Sequence, residues 1–149
     1  MPNPSQLHQD IVLDVAGVLK SYVKLHKLGN VIIAPFDVYL DENNLLVPDI
    51  IFVSVDRAHI LDGKKANGVP NLVVEVISRA NYKKKCVEKM QQYEKFGVAE
   101  YWEIRPNKKQ CSIFTLQNGQ YELFAEAKKK GNIQSLALPD LVLNFGRYF

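Results

Sequence analysis

Two acids and a lysine are the residues of this chain whose types and spacing could do chemistry: Asp49, Glu75 and Lys89. Asp49 follows Pro48 and opens the apolar run Ile50-Ile51-Phe52-Val53, while Glu75 interrupts a second run, Leu72-Val73-Val74-Glu75-Val76-Ile77. Such a run, rich in β-branched residues, reads as a strand buried on both faces, where an unpaired carboxylate is costly to desolvate. Something cationic must therefore sit beside Glu75. One candidate is a lysine of the helix that follows; the other is a divalent metal shared with another acid. Two carboxylates on neighbouring strands suit a hard cation such as Mg²⁺ or Mn²⁺, which polarises a phosphate and acidifies water. A lysine beside them stabilises the negative charge that develops as a phosphodiester is hydrolysed. A buried Glu75–Lys89 ion pair satisfies the same burial without any chemistry, and residue types and spacing leave both open. A second Pro-Asp pair, Pro139-Asp140, reads as a turn before the last strand.

The elements that position these residues follow from periodicity. Leu7, Ile11, Val15, Val18, Tyr22 and Leu25 recur at helical spacing, and Gly29-Asn30 ends that helix. His8 falls in its first turn and points inward, as a hydrogen-bonded histidine at a helix start does. Val31 to Leu40 and Leu45 to Val55 read as strands, the first with Pro35 at an edge or bulge, and Asp56 to Val69 as a loop or short helix able to approach a substrate. After the Glu75 strand, Ser78 to Asn81 makes a turn with Asn81 as helix cap. The next helix buries Cys86, Val87, Met90, Tyr93 and Gly97, which puts Lys89 at the border of the buried face, about 80° from its middle. Ala99 to Ile104 is another strand, Cys111 to Leu116 and Tyr121 to Ala125 form a hairpin about Asn118-Gly119, and Leu136 to Leu143 is the final strand. The sequence of helices and strands specifies an α/β fold with a mixed sheet.

The 149 residues fit one domain, and an apolar share of 47% with 23% charged is that of a soluble globular chain. There is no apolar run of about 18 residues, and Met1 to Gln6 lacks the regions of a signal peptide, so the expected compartment is the cytoplasm. Cys86 and Cys111 have no metal-ligand spacing and read as small core residues of a reduced compartment. A net charge of +3 does not by itself imply a nucleic-acid partner. The lysines do cluster, however. Lys83, Lys84 and Lys85 open a helix whose dipole disfavours them, a cost that an anionic partner such as DNA offsets and that solvent also can. Gly-rich phosphate loops, nucleophilic triads and zinc-type clusters are absent, so no cofactor beyond a metal is implied. A symmetric homodimer through the hairpin or the last strand is compatible with the pattern.

At these residues the sequence resembles the Uma-two-like putative restriction endonuclease family, within the PD-(D/E)XK nuclease superfamily. The resemblance rests on Pro48-Asp49, Gly68-Val69-Pro70, Leu72 to Ser78, Lys89 with Tyr93, and Gly97-Val98-Ala99-Glu100-Tyr101-Trp102. It implies a restriction-endonuclease-like core of helix, three strands, helix and strand, with the C-terminal antiparallel hairpin added. It also implies Asp49 and Glu75 as metal ligands, the Val76 carbonyl as a further one, Lys89 as the catalytic lysine and His8 as an accessory. In the superfamily pattern the lysine stands two residues after the acid, where this chain has Ile77; Lys89 from the next helix takes its place. The family pattern carries acids where this chain has Asn71, Lys85 and Arg105. The function implied is a metal-dependent endonuclease acting on DNA, or a catalytically decayed nucleic-acid-binding protein of the same fold.

Overall fold

The first helix, α1 (Gln6–Leu25), starts at Ser5, whose hydroxyl accepts the His8 N–H at 3.0 Å and satisfies one of the free donors of the first turn. In this computed structural model, which describes residues 4–77 and 83–149, α1 buries His8, Ile11, Val12, Val15, Ala16, Leu19 and Val23. Leu7 and Leu25, expected inside, stand in solvent, and Val18 and Tyr22 are only partly covered. The buried face is thus rotated by about one residue from the expected stripe, which places His8 within it.

Two prolines divide what reads as two long strands into four. The Val31–Leu40 stretch separates at Pro35, which follows a cis peptide bond, into β1 (Gly29–Ile33) and β2 (Asp37–Asp41). The Leu45–Val55 stretch separates at Pro48 into β3 (Asn44–Leu46) and β4 (Ile50–Ser54). Proline offers no N–H to a ladder, so each becomes a point at which the chain changes sheets. The loop expected over Asp56–Val69 holds a 3₁₀ turn, Val55–Ile60, and a short strand, β5 (Lys65–Asn67), which completes a small sheet in the order β3-β2-β5.

The main sheet has six strands in the order β1-β4-β6-β7-β8-β9, with β6 (Leu72–Val76), β7 (Glu100–Arg105), β8 (Gln110–Gln117) and β9 (Gln120–Lys128). Among the described residues only β6 and β7 pair in parallel within it, and the crossover between them carries α2 (Lys83–Phe96). The turn expected at Ser78 to Asn81, with Asn81 as cap, lies outside the described residues. Helix α2 ends at Gly97, whose φ of 84° lets Val98 N–H return to the Tyr93 carbonyl at 2.9 Å. Its inner face differs from the expected one: Val87 and Gly97 are exposed, and Cys86, Lys89, Met90, Tyr93 and Phe96 turn toward the protein. The hairpin turn Asn118-Gly119 has positive φ at both residues, and β8–β9 continues the main sheet. Of the expected Leu136–Leu143 strand only the end is extended, as β11 (Val142–Asn144) paired with β10 (Asn132–Gln134); Pro139-Asp140 is a turn.

Alternation along the central strands divides the core. Ile50, Phe52, Leu72, Val74, Trp102 and Ile104 pack with α1 and the C-terminal segment; Ile51, Val53, Val73 and Tyr101 pack with α2 and the small sheet. Among the described residues no helix is long and apolar enough to cross a membrane. Glu100, buried at the start of β7, accepts hydrogen bonds from Trp102 Nε1 (3.0 Å), the Ser135 hydroxyl, and the N–H groups of Leu136 (2.7 Å) and Ala137 (3.3 Å). That carboxylate ties the C-terminal segment to the sheet. Glu100→Ala, leaving those donors buried and unmet, is expected to cost about 2–4 kcal/mol in urea unfolding, with faster amide exchange at Leu136 and Ala137; unchanged exchange there would contradict the assignment.

Candidate active site

Glu75 is the fourth residue of β6, on the face that α2 covers, and is 5% exposed. The helix supplies its partners from successive turns: Lys89 Nζ donates to Oε2 at 3.1 Å and the Tyr93 hydroxyl to Oε1 at 3.0 Å. Lys89 and Tyr93 are four residues apart, one above the other on a helix face. Asp49 sits just before β4, where the Pro48 break ends the ladder. Continuing the register of Ile50 with Val74 sets it opposite Glu75. Its Oδ2 accepts the Val76 N–H at 2.7 Å, and His8 Nε2 reaches the same oxygen at 3.4 Å from the start of α1. A residue's N–H and C=O point to the same side of an extended strand, so the Val76 carbonyl also faces Asp49.

The electrostatics follow from burial. Desolvation pushes the Glu75 carboxyl up to about 7; the Lys89 charge opposes this and the Asp49 charge adds to it. Lys89 loses hydration too, yet the charge and hydrogen bond of Glu75 outweigh that and raise it above the ordinary lysine value, so its ammonium keeps its proton. His8 is raised chiefly by its hydrogen bond to Asp49, against partial burial. Burial also holds the Tyr93 phenol well above its usual value and pushes the Cys86 thiol up to about 11, which removes Cys86 as a nucleophile near neutral pH.

Among the described residues no group of three or more His, Cys, Asp and Glu side chains is placed to hold a metal ion. The oxygen groups nearby are the carboxylates of Asp49 and Glu75, with the Val76 carbonyl on the Asp49 side of β6. That set is one that Mg²⁺, which keeps several waters, accepts. A cation there would also relieve the repulsion that Asp49 exerts on Glu75.

His8, Asp49, Glu75, Val76 and Lys89 therefore lie together. Of the lysine cluster, Lys84 and Lys85 are exposed on the first turn of α2, and Lys85 lines a cleft with Lys89. Lys83 opens the helix, with its side chain outside the described residues. Two departures from the family pattern have structural work: the Asn71 amide oxygen accepts Ser54 N–H at 2.8 Å, and Arg105 pairs with Glu103. The part played by Tyr93 was not read from the sequence, although its spacing of four from Lys89 was a usable signal.

A solved protein from Anabaena variabilis, described as a putative nuclease belonging to DUF820, has a similar fold: TM-score 0.79 at 18% identity, covering 99% of this chain and 83% of that one. No curated protein matches the chain. The family model described as Uma2, "Putative restriction endonuclease", matches residues 1–146. With nearly its whole length matched, the chain belongs to the Uma2 family.

Proposed function

We propose that the chain is a metal-dependent endonuclease that hydrolyses phosphodiester bonds of DNA. The observation that carries this reading is the convergence of Asp49, Glu75 and a protonated Lys89 beside the end of β6, in a chain of the Uma2 family. The order α1, then β1, β4 and β6 of the main sheet, then α2 and β7 supports a restriction-endonuclease-like domain over residues 1–149. Asp49, Glu75 and the Val76 carbonyl are the groups that would hold Mg²⁺ or Mn²⁺. Bound there, the cation supplies positive charge to the scissile phosphate and acidifies water.

The chain's own residues do the rest. Because Lys89 retains its proton, it acts as a fixed positive charge on the phosphate rather than as a base. Tyr93, itself held protonated, donates to Glu75 and fixes the carboxylate plane. His8 and the Val76 N–H hold Asp49 Oδ2, which orients its other oxygen. Lys84 and Lys85 bring positive charge toward a strand lying along α2, a contribution that weakens as salt rises. One observation favours a second reading, a decayed nucleic-acid-binding relative: both oxygens of Glu75 are already engaged by Lys89 and Tyr93.

Incubation with supercoiled plasmid separates the two. The wild-type chain is expected to nick DNA with Mg²⁺ and stop on chelation, while Asp49→Asn, Glu75→Gln and Lys89→Ala each lose about 100-fold or more. An undiminished rate in Glu75→Gln would sink the nuclease assignment, and DNA binding without cleavage under any divalent cation would establish the decayed binder.

The raised Glu75 pKa sets a second expectation, for the metal-free chain. The folded state holds the Glu75 proton up to about pH 7 whereas the ordinary value is 4.5, so stability is fullest below the ordinary value and falls as pH rises through 7. In urea unfolding with chelator, the wild type should lose about 3 kcal/mol relative to Glu75→Gln over that window; parallel pH profiles would show that burial imposes no such cost.

A further inference from the structure

Arg105 is the last residue of β7, one strand over from Glu75. The parallel register pairs Glu75 with Glu103 and Val76 with Ile104, and Ile77 N–H donates to the Ile104 carbonyl at 2.8 Å; continued by one residue, it sets Arg105 beside Ile77. Alternation gives Glu103 and Arg105 the face of Tyr101, which is the α2 face that carries Glu75 and its Lys89 partner. With strands about 4.8 Å apart and a rise of about 3.3 Å per residue, the Arg105 backbone lies about 8 Å from that of Glu75, toward the carboxyl ends of both strands. The charges of Glu75, Glu103, Lys89 and Arg105 all act on one thiol, that of Cys86 on α2. Arg105 thus borders the proposed active site.

Arg105 Nε and Nη2 both meet one oxygen of Glu103, Oε1, while the Tyr101 hydroxyl donates to Oε2 at 3.4 Å. Among the described residues the Arg105 side chain has no other ionic or hydrogen-bonded partner. A guanidinium carries five N–H donors, so three are left, and those on Nη1 and Nη2 form an edge that matches two oxygens of a phosphate. The Glu103 side chain is 9% exposed and that of Arg105 31%, so the acid braces the guanidinium from the protein side and the guanidinium is the part that meets solvent. A buried ion pair is by itself a weak source of stability. We infer that Arg105 is a second backbone clamp: braced by Glu103, it takes the phosphate adjoining the one that Lys89 faces and so fixes the course of the bound strand across the ends of β6 and β7. This rests on the nuclease reading and adds a substrate-positioning residue to it. A phosphate contact carries no base information, so the clamp acts alike on every sequence.

The test measures duplex DNA binding against salt, in chelator so that no cutting intervenes, for wild type, Arg105→Lys, Arg105→Met and the double variant Glu103→Gln, Arg105→Met. The double variant removes the pair without leaving a buried charge behind. Arg105→Met and the double variant should both bind about five- to tenfold more weakly on unrelated sequences, and the slope of log K against log salt should fall by about 0.9, one phosphate contact. Arg105→Lys, which keeps the charge, should keep the slope. A wild-type slope in the double variant, or a wild type whose binding does not respond to salt, overturns the inference. Plasmid nicking with Mg²⁺ or Mn²⁺, run in parallel, decides the nuclease reading separately: nicking with an unchanged slope leaves that reading standing without the clamp, whereas the lost slope without any nicking keeps the clamp and overturns the nuclease.

Discussion

Burying one carboxylate in the middle of a sheet is the constraint on which the arrangement depends. All five residues of β6 are buried, and four of them are apolar. Glu75 among them is not neutralised by its surroundings: Lys89 and Tyr93 both bind it, yet desolvation still dominates. A stable ion pair alone is a poor return for such a position, since an apolar pair of similar volume often serves stability as well or better. The cost becomes intelligible if the carboxylate is kept for a cation that arrives with substrate, with Asp49 across the strand pair as its second anchor.

The fold meets that constraint through the parallel pairing of β6 with β7 in the main sheet. Parallel strands require a crossover, and the crossover between β6 and β7 lays α2 over the face on which Glu75 points. The same helix thereby supplies Lys89 and Tyr93 to the site and Lys85 and Gln92 to the neighbouring cleft. Pro48 ends one ladder just where Asp49 must turn toward Val76, and α1 brings His8 to the same oxygen from the sheet's other side. Four separate elements thus converge on a few ångströms of strand end, as ligand sites at the carboxyl ends of parallel strands commonly do.

The sequence makes the site's main members legible because a charged residue in an apolar strand contradicts its surroundings. Elsewhere legibility fails for definite reasons. Pro35 reads as an edge or bulge and Pro48 as lying within a strand, but each marks a change of sheet, which depends on pairing partners distant in the chain. On α2, Val87 reads as buried from its apolar type but faces solvent, whereas Lys89 sits at the border of the inner face as its spacing indicates, its side chain 34% exposed and its Nζ on Glu75. The Glu100 staple is invisible in the sequence because it needs a segment far along the chain, Ser135 to Ala137. Local periodicity carries no record of such meetings.

The most direct test of the central claim, that Asp49 and Glu75 share a divalent cation, is calorimetric titration of the wild-type chain with Mn²⁺ and Mg²⁺ beside Asp49→Ala and without nucleic acid. The account predicts a saturable site in the wild type, with proton release at pH 6.5 as Glu75 ionises, and no such site in the variant. Equal heats in both proteins, or none in either, would contradict it.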